Sequence, residues 1–172
     1  MEQIIIVSLP PEEWQKYKII RLEALQKEPT AFANTYDDEA KYEDKKWIGI
    51  LEKSKNRDTE IALFAKNGDK IIGFIGAFWV TKEKMKHVAH IYGTYVDSEY
   101  RGQGVGKILM EAVINELKSL PHIKKIKIEV NAQNTVAFNL YQKMGFKVIG
   151  KAEKELKVNG VFYDEILMEQ LI

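Results

Sequence analysis

Apolar positions first recur as a short β-branched run, Ile4 to Val7, which reads as a strand. Pro10 and Pro11 end it and suit the first turn of a helix, with Glu12 and Glu13 near its positive end. Trp14, Tyr17, Ile20 and Ala24 follow at spacings of three and four, which gives that helix one core-facing stripe, and Pro29 breaks it. Thr30 to Asp44 is less regular. Thr35 and Asp38 are spaced as a capping box, with Asp in place of the usual Glu or Gln, and predict a second helix anchored by Trp47, Ile50 and Leu51. Strands Ile61 to Ala65 and Ile71 to Val80 flank Asn67-Gly68, a hairpin signal. Gly73 and Gly76 mark a bulge or a close backbone approach in the second of them.

A loop carrying Lys82, Lys84 and Lys86 leads into a third long strand, His87 to Val96. Val105, Leu109, Ala112, Val113, Leu117 and Leu120 then mark a helix that Pro121 stops. Ile126, Ile128 and Val130 alternate with polar residues as the next strand. Strand, helix and strand of these lengths form a βαβ unit, so 87–96 and 124–130 should be parallel neighbours with a right-handed crossover. A further helix, Asn134 to Met144, ends at Gly145, and a last hairpin turns at Asn159-Gly160 between Phe146 to Lys157 and Val161 to Leu171. The predicted fold is an α/β sandwich on a mixed sheet. No linker, repeat or low-complexity segment interrupts the 172 residues, so a single domain over 1–172 is expected.

Between the strand ending at Val96 and the helix opening at Val105 lies Tyr100-Arg101-Gly102-Gln103-Gly104-Val105-Gly106-Lys107. Glycine lets the backbone come close to a ligand, and the first N–H groups of a helix have no internal acceptor and carry the positive end of its dipole. Such a place suits phosphate. A dinucleotide fingerprint starting at Gly102 would need glycine where Lys107 stands. A nucleotide P-loop ending in Gly106-Lys107 would need Gly at Arg101 and Ser or Thr at Ile108. What remains is Arg/Gln-x-x-Gly-x-Gly. With Tyr95-Val96 before it and Asn134-x-x-Ala137-x-x-x-Tyr141-x-x-x-Gly145-Phe146 about 30 residues after it, this closely resembles the GNAT superfamily of acetyl-coenzyme A-dependent N-acetyltransferases. The resemblance covers residues 88 to 147. It refines the expected fold to a GNAT-like α/β arrangement: a mixed, mostly antiparallel twisted sheet with a central parallel βαβ unit and helices on both faces.

Composition narrows the alternatives. Apolar residues make up 45% and charged residues 30%, as in soluble globular proteins, and 26 basic against 25 acidic side chains leave a net charge of +1. No global field therefore points to nucleic acid or an acidic membrane, and the one basic patch, Lys118, Lys124, Lys125 and Lys127, has no interleaved aromatics. The chain has no cysteine, which removes disulfides, thiolate zinc sites and a cysteine nucleophile. Its three histidines, His87, His90 and His122, form no close-spaced ligand set, so no metal is expected. With no apolar run approaching the ~20 residues of a membrane span, no membrane partner and a cytoplasmic location are the default expectations.

The resemblance implies the chemistry. The co-substrate is acetyl-CoA, its diphosphate on the main chain of Arg101, Gly102, Gln103, Gly104, Val105, Gly106 and Lys107. Its pantetheine arm lies as a surrogate strand against Thr94 and Val96, where strands 87–96 and 124–130 splay. The Arg101 and Gln103 side chains serve the loop's conformation more than the ligand. A backbone N–H of Thr94 or Val96 polarises the thioester carbonyl. Tyr141 stabilises the departing thiolate, while Asn134 caps its helix or binds pantetheine. His90 stands where many GNAT members carry a glutamate or histidine that acts as base or holds water, and an imidazole with pKa near 6.5 suits that task. Strand alternation places His90, Tyr92 and Thr94 on one face. Tyr92, Tyr95 and Trp79 are candidates to line the acceptor pocket. The acidic run Asp37, Asp38, Glu39, Glu43 and Asp44 is either a solvated face or a rim that attracts a cation, with Glu39 as the substrate-binding candidate. The acceptor is then a primary amine, a small molecule or a peptide N-terminus. A non-catalytic acyl-CoA sensor is the reading from another class, and a homodimer is an assembly common among relatives.

Overall fold

The computed structural model describes residues 3–172. Seven strands form one sheet in the order β1-β2-β3-β4-β5-β7-β6: β1 (Ile4–Val7), β2 (Glu60–Asn67), β3 (Lys70–Trp79), β4 (Val88–Val96), β5 (Lys125–Asn131), β6 (Lys147–Val158) and β7 (Val161–Leu171). β4 and β5 run parallel and every other neighbouring pair is antiparallel, because the 14-residue helix α4 (Val105–Lys118) carries the chain between them. This is the GNAT-like mixed sheet expected.

Helices cover both faces. On one, α4 lays Val105, Leu109, Met110, Val113 and Leu117 against Ile72, Ile75, Ala77, Ile91, Ile126 and Ile128, and Tyr141 of α5 (Thr135–Lys143) joins this core. On the other, α1 (Trp14–Lys27), α2 (Tyr36–Glu39) and α3 (Asp44–Asn56) enclose Tyr17, Trp47, Leu51, Phe64, Phe74 and Tyr95. β2 and β3 lie between the two cores, which is why their central residues, Ile61 to Ala65 and Ile72 to Ala77, are buried in succession.

Two local expectations need correction. Thr35 does cap a helix, accepting from Asp38 N at 3.2 Å, but that helix is the single turn α2. Asp38 spends its carboxylate on the Thr35 hydroxyl (2.7 Å), and Trp47 and Leu51 belong to a separate helix, α3, that starts at Asp44. The β2–β3 loop is Gly68-Asp69, since Asn67 already pairs with Lys70. Asn159-Gly160 forms the last hairpin turn as expected, both residues having positive φ (49° and 83°). Among the described residues no helix is long and apolar enough to cross a membrane, and no group of three His, Asp or Glu side chains converges as a metal site.

Candidate active site

β4 and β5 are paired from Val88↔Lys125 to Ile91↔Ile128 and no further. Beyond that point β5 stays with β7 as far as Asn131↔Glu165, and β4 stays with β3, so a slot opens between them. Asp97 N donates to Ile72 O at 2.8 Å, which fixes the ladder phase: Tyr95 and Asp97 bond toward β3, and the main-chain groups of Thr94 and Val96 turn toward the slot. The Val96 carbonyl already accepts one hydrogen bond, from Arg101 Nε at 3.1 Å, which takes one of its two acceptor sites.

A bulge decides which side chains face which way. Phe74 pairs with Tyr95 and Gly76 with Tyr92, so Gly93 and Thr94 together oppose Ile75. Gly93 has φ of +63°, the left-handed region that glycine enters without Cβ strain. The extra residue reverses the alternation. His90 and Tyr92 face the α1–α3 side, whereas Thr94 turns to the α4–α5 side beside Tyr141. The expectation that His90, Tyr92 and Thr94 share one face is therefore wrong, because the extra residue at the bulge breaks the alternation of the strand.

On the α4 side, Gly104 caps the helix with φ of +82°, and the first in-helix bond runs from Ile108 N to Gly104 O at 3.1 Å. The N–H groups of Val105, Gly106 and Lys107 precede that bond and have no helical acceptor. Gly102 to Gly104 are exposed. The side chains around them brace the loop: Arg101 Nη2 reaches Glu28 at 2.6 Å and Gln103 Nε2 donates to Glu99 O at 3.1 Å. Gly106 is informative in another way. A Cβ there would meet Leu140 Cδ2 at 3.7 Å and Val96 Cγ2 at 3.8 Å, ordinary contacts, so the protein's own packing does not demand glycine. Asn134 caps α5, its Oδ1 accepting from Ala137 N at 3.1 Å. Tyr141 is 5% exposed; burial pushes its phenol pKa up, and the adjacent Thr94 side chain offsets part of that rise.

On the opposite side lies a cleft of about 1190 Å³ bounded by α1, α2, α3, β4 and the β5–β7 strands. His90 is half-buried there and stacks on Phe78, ring centroids 5.0 Å apart. Burial and the Lys127 ammonium draw its imidazole below the ordinary histidine pKa, with Glu129 opposing, which leaves it neutral near pH 7. Tyr92 lies under Gly76, where a Cβ would come within 2.6 Å of its ring, and burial raises its phenol pKa far above the usual value. Glu165 is held above the usual carboxylate range by burial and by Glu129 and Glu155.

Three sequence candidates sit elsewhere in role. Glu39 is 4% exposed, and its carboxylate accepts Arg21 Nη2 at 2.6 Å, Arg21 Nε at 2.9 Å and Asn34 Nδ2 at 2.8 Å, so it is an internal counter-ion and not a free rim charge. Trp79 is buried on the α4 face near His122, and Tyr95 packs on Phe74 with its hydroxyl on Glu23. Arg21 is not among the sequence candidates. It sits one position beyond Ile20 on the apolar stripe of α1, and a charge next to a buried stripe is the signal that could have singled it out.

The Acetyltransferase (GNAT) family profile matches residues 18–146, and the chain belongs to that family. A peptidyl-lysine N-acetyltransferase, YjaB, of Salmonella typhimurium is 41% identical over 64 residues, 37% of this chain and 40% of the relative. The match thus spans less than half of that relative's length. Among solved structures, an acetyltransferase of the GNAT family from Streptococcus pneumoniae superposes with a TM-score of 0.88 at 23% identity, covering 99% of this chain and 100% of the other. The yncA protein of Salmonella typhimurium, solved with its cofactor acetyl-CoA, superposes with a TM-score of 0.83 at 15% identity, covering 98% of this chain and 93% of the other.

Proposed function

We propose that this chain transfers an acetyl group from acetyl-CoA to a primary amine, by direct attack in a ternary complex. The observation that carries the reading is the slot between β4 and β5, which opens on one side to the unpaired N–H groups of α4 and on the other to the cleft holding a neutral imidazole. The residues present suit acetyl-CoA: three free amides at a helix mouth for a diphosphate, and a glycine at 106 that the protein's packing does not require. When bound, acetyl-CoA supplies a thioester whose C–S bond breaks as the C–N bond forms, while two protons leave the ammonium, one returning to sulfur and one passing to solvent.

The chain's own groups divide this work. The amides of Val105, Gly106 and Lys107 hold the diphosphate, and the main chain of Thr94 with the N–H of Val96 lines the slot for pantetheine. The N–H nearest the carbonyl polarises it. His90, neutral and on the cleft side, accepts the proton directly or through water. Tyr141 and Thr94 stand on the α5 side, where a phenol hydrogen bond favours developing thiolate. A buried phenol with a raised pKa is a poor proton donor to a thiolate, so Tyr141 works by hydrogen bonding and not by full proton transfer. The presence of both His90 and Tyr141 at the slot favours catalysis over a sensor that only binds acyl-CoA. The test is coenzyme A release with acetyl-CoA across amines and short peptides. Turnover of at least one primary amine is expected, and binding of acetyl-CoA without any turnover would favour the sensor.

A further inference from the structure

Arg21 is 6% exposed, and two of its three guanidinium nitrogens are committed to Glu39. The third, Nη1, is buried without a hydrogen-bond partner among the described residues. Leaving a buried donor unpaired costs about 1–3 kcal/mol, and folded proteins keep such groups sparingly. The guanidinium lies 4.6 Å over the Phe32 ring and 5.8 Å from that of Phe74, which fixes its plane and leaves its Nη1 edge pointing away from Glu39. That edge lies beneath the bulge: a Cβ built on Gly93 would stand 3.4 Å from Nη1. Arg21, Glu39, Tyr92 and Gly93 all line the cleft.

On the proposed function, on which this step rests, the amine attacks at the slot beside Gly93. Nη1 lies against Gly93, the residue before Thr94 at the slot, so it faces the side from which the amine enters. We infer that Arg21 Nη1 is a specificity-determining donor that selects acceptors bearing a carbonyl or carboxylate oxygen on the carbon next to the amine, that is, α-aminoacyl compounds over plain alkylamines. Glu39 fixes the orientation and balances the charge, so recognition is by directed hydrogen bonding and a neutral carbonyl serves as well as a carboxylate. Nη1 has no acceptor of its own among the described residues, so an aminoacyl oxygen that reaches it satisfies a stranded donor, whereas an alkyl group cannot. A site built to hydrogen-bond its substrate discriminates against an analogue lacking that group, because the buried donor is then stranded.

The experiment compares isopropylamine with alanine, alaninamide and alanyl-alanine, which share the branched carbon at the amine, at equal free-base concentration. Two readouts are used: kcat/KM from coenzyme A release, and calorimetric binding of each amine to protein loaded with coenzyme A, where no transfer is possible. At least one aminoacyl compound should exceed isopropylamine by about 10-fold or more in both. Arg21→Lys, which keeps a cation opposite Glu39, and the neutral pair Arg21→Met with Glu39→Met should each bring that ratio toward unity. Whether the acid or the amide and dipeptide lead tells a free amino acid from a peptide N-terminus. Isopropylamine matching the aminoacyl compounds, or an unchanged ratio in a folded Arg21 variant, would overturn the inference. Absence of turnover with every amine would instead count against the transfer reading, and the binding arm would still decide the role of Arg21.

Discussion

Arg21 and Glu39 meet side-on in the α1–α2 wall, with two hydrogen bonds of 2.6 and 2.9 Å between groups that are both more than nine-tenths buried. A pair so placed holds α2 onto α1 and shapes the cleft, and its energy is asymmetric. Removing one partner strands the other, a cost of about 3–5 kcal/mol, whereas replacing both with apolar residues is often neutral. Arg21→Met should therefore lower unfolding free energy by roughly that amount in urea titrations, and Arg21→Met with Glu39→Met should recover most of it. Equal losses in the single and double variants would show that the charge pair is not what stabilises this wall.

Gly106→Ala separates packing from ligand binding. The added methyl meets only contacts of 3.7 and 3.8 Å, so thermal stability should hold or rise, by up to about 1 kcal/mol for a helical Gly-to-Ala change. Coenzyme A affinity should nevertheless fall about 10-fold or more by calorimetry, if the diphosphate approaches that Cα as closely as the proposal holds. Unchanged affinity would remove the helix mouth from the binding site. Gly104 is the poorer probe, since its φ of +82° would strain any replacement regardless of ligand.

Tyr141→Phe should lower kcat by about 10-fold to 100-fold while coenzyme A affinity stays within about 3-fold, the pattern of an interaction made in the transition state. A variant with normal kcat would place thiolate stabilisation elsewhere, Thr94 being the next group to test.

His90 should titrate below its ordinary value in NMR, and Lys127→Gln should move that midpoint upward, since it removes the nearby positive charge. The sign for stability follows. Between the folded and unfolded midpoints the unfolded chain binds more protons at this residue, so stability rises with pH through that window and is lost on acidification. His90→Ala should flatten that dependence and depress kcat/KM. A midpoint above 6.5 would contradict the burial of the ring.

Much of the fold was legible because its signals are local. The stripe on α4 and the Pro121 stop could be read from residues a few positions apart, and so could the Asn159-Gly160 turn and the Gly145 end of α5. The glycine turn was legible too, because a helix mouth and its unpaired amides follow from the chain's own order. The second helix was misjudged where Thr35 and Asp38 satisfied each other in a single turn, with Glu43 then preceding a new helix. Among the site residues, Asn134 and Tyr141 could be placed by spacing along α5, but the facing of Thr94 could not.

The sequence alone determined the succession of strands, the helices α1, α4 and α5, the parallel crossover and the glycine-rich turn at the mouth of α4, all carried by patterns local in the chain. Tertiary structure decided the rest. The Gly93 bulge shows only in the pairing of β4 with β3, and it sends Thr94 to one side of the sheet and leaves His90 on the other. Arg21 and Glu39 are 18 residues apart, and only the packing of α1 against α2 brings them together and leaves Nη1 without an acceptor under the bulge. Register and long-range ion pairs depend on which surfaces meet, and that information is carried by the whole buried interface and not by any one segment.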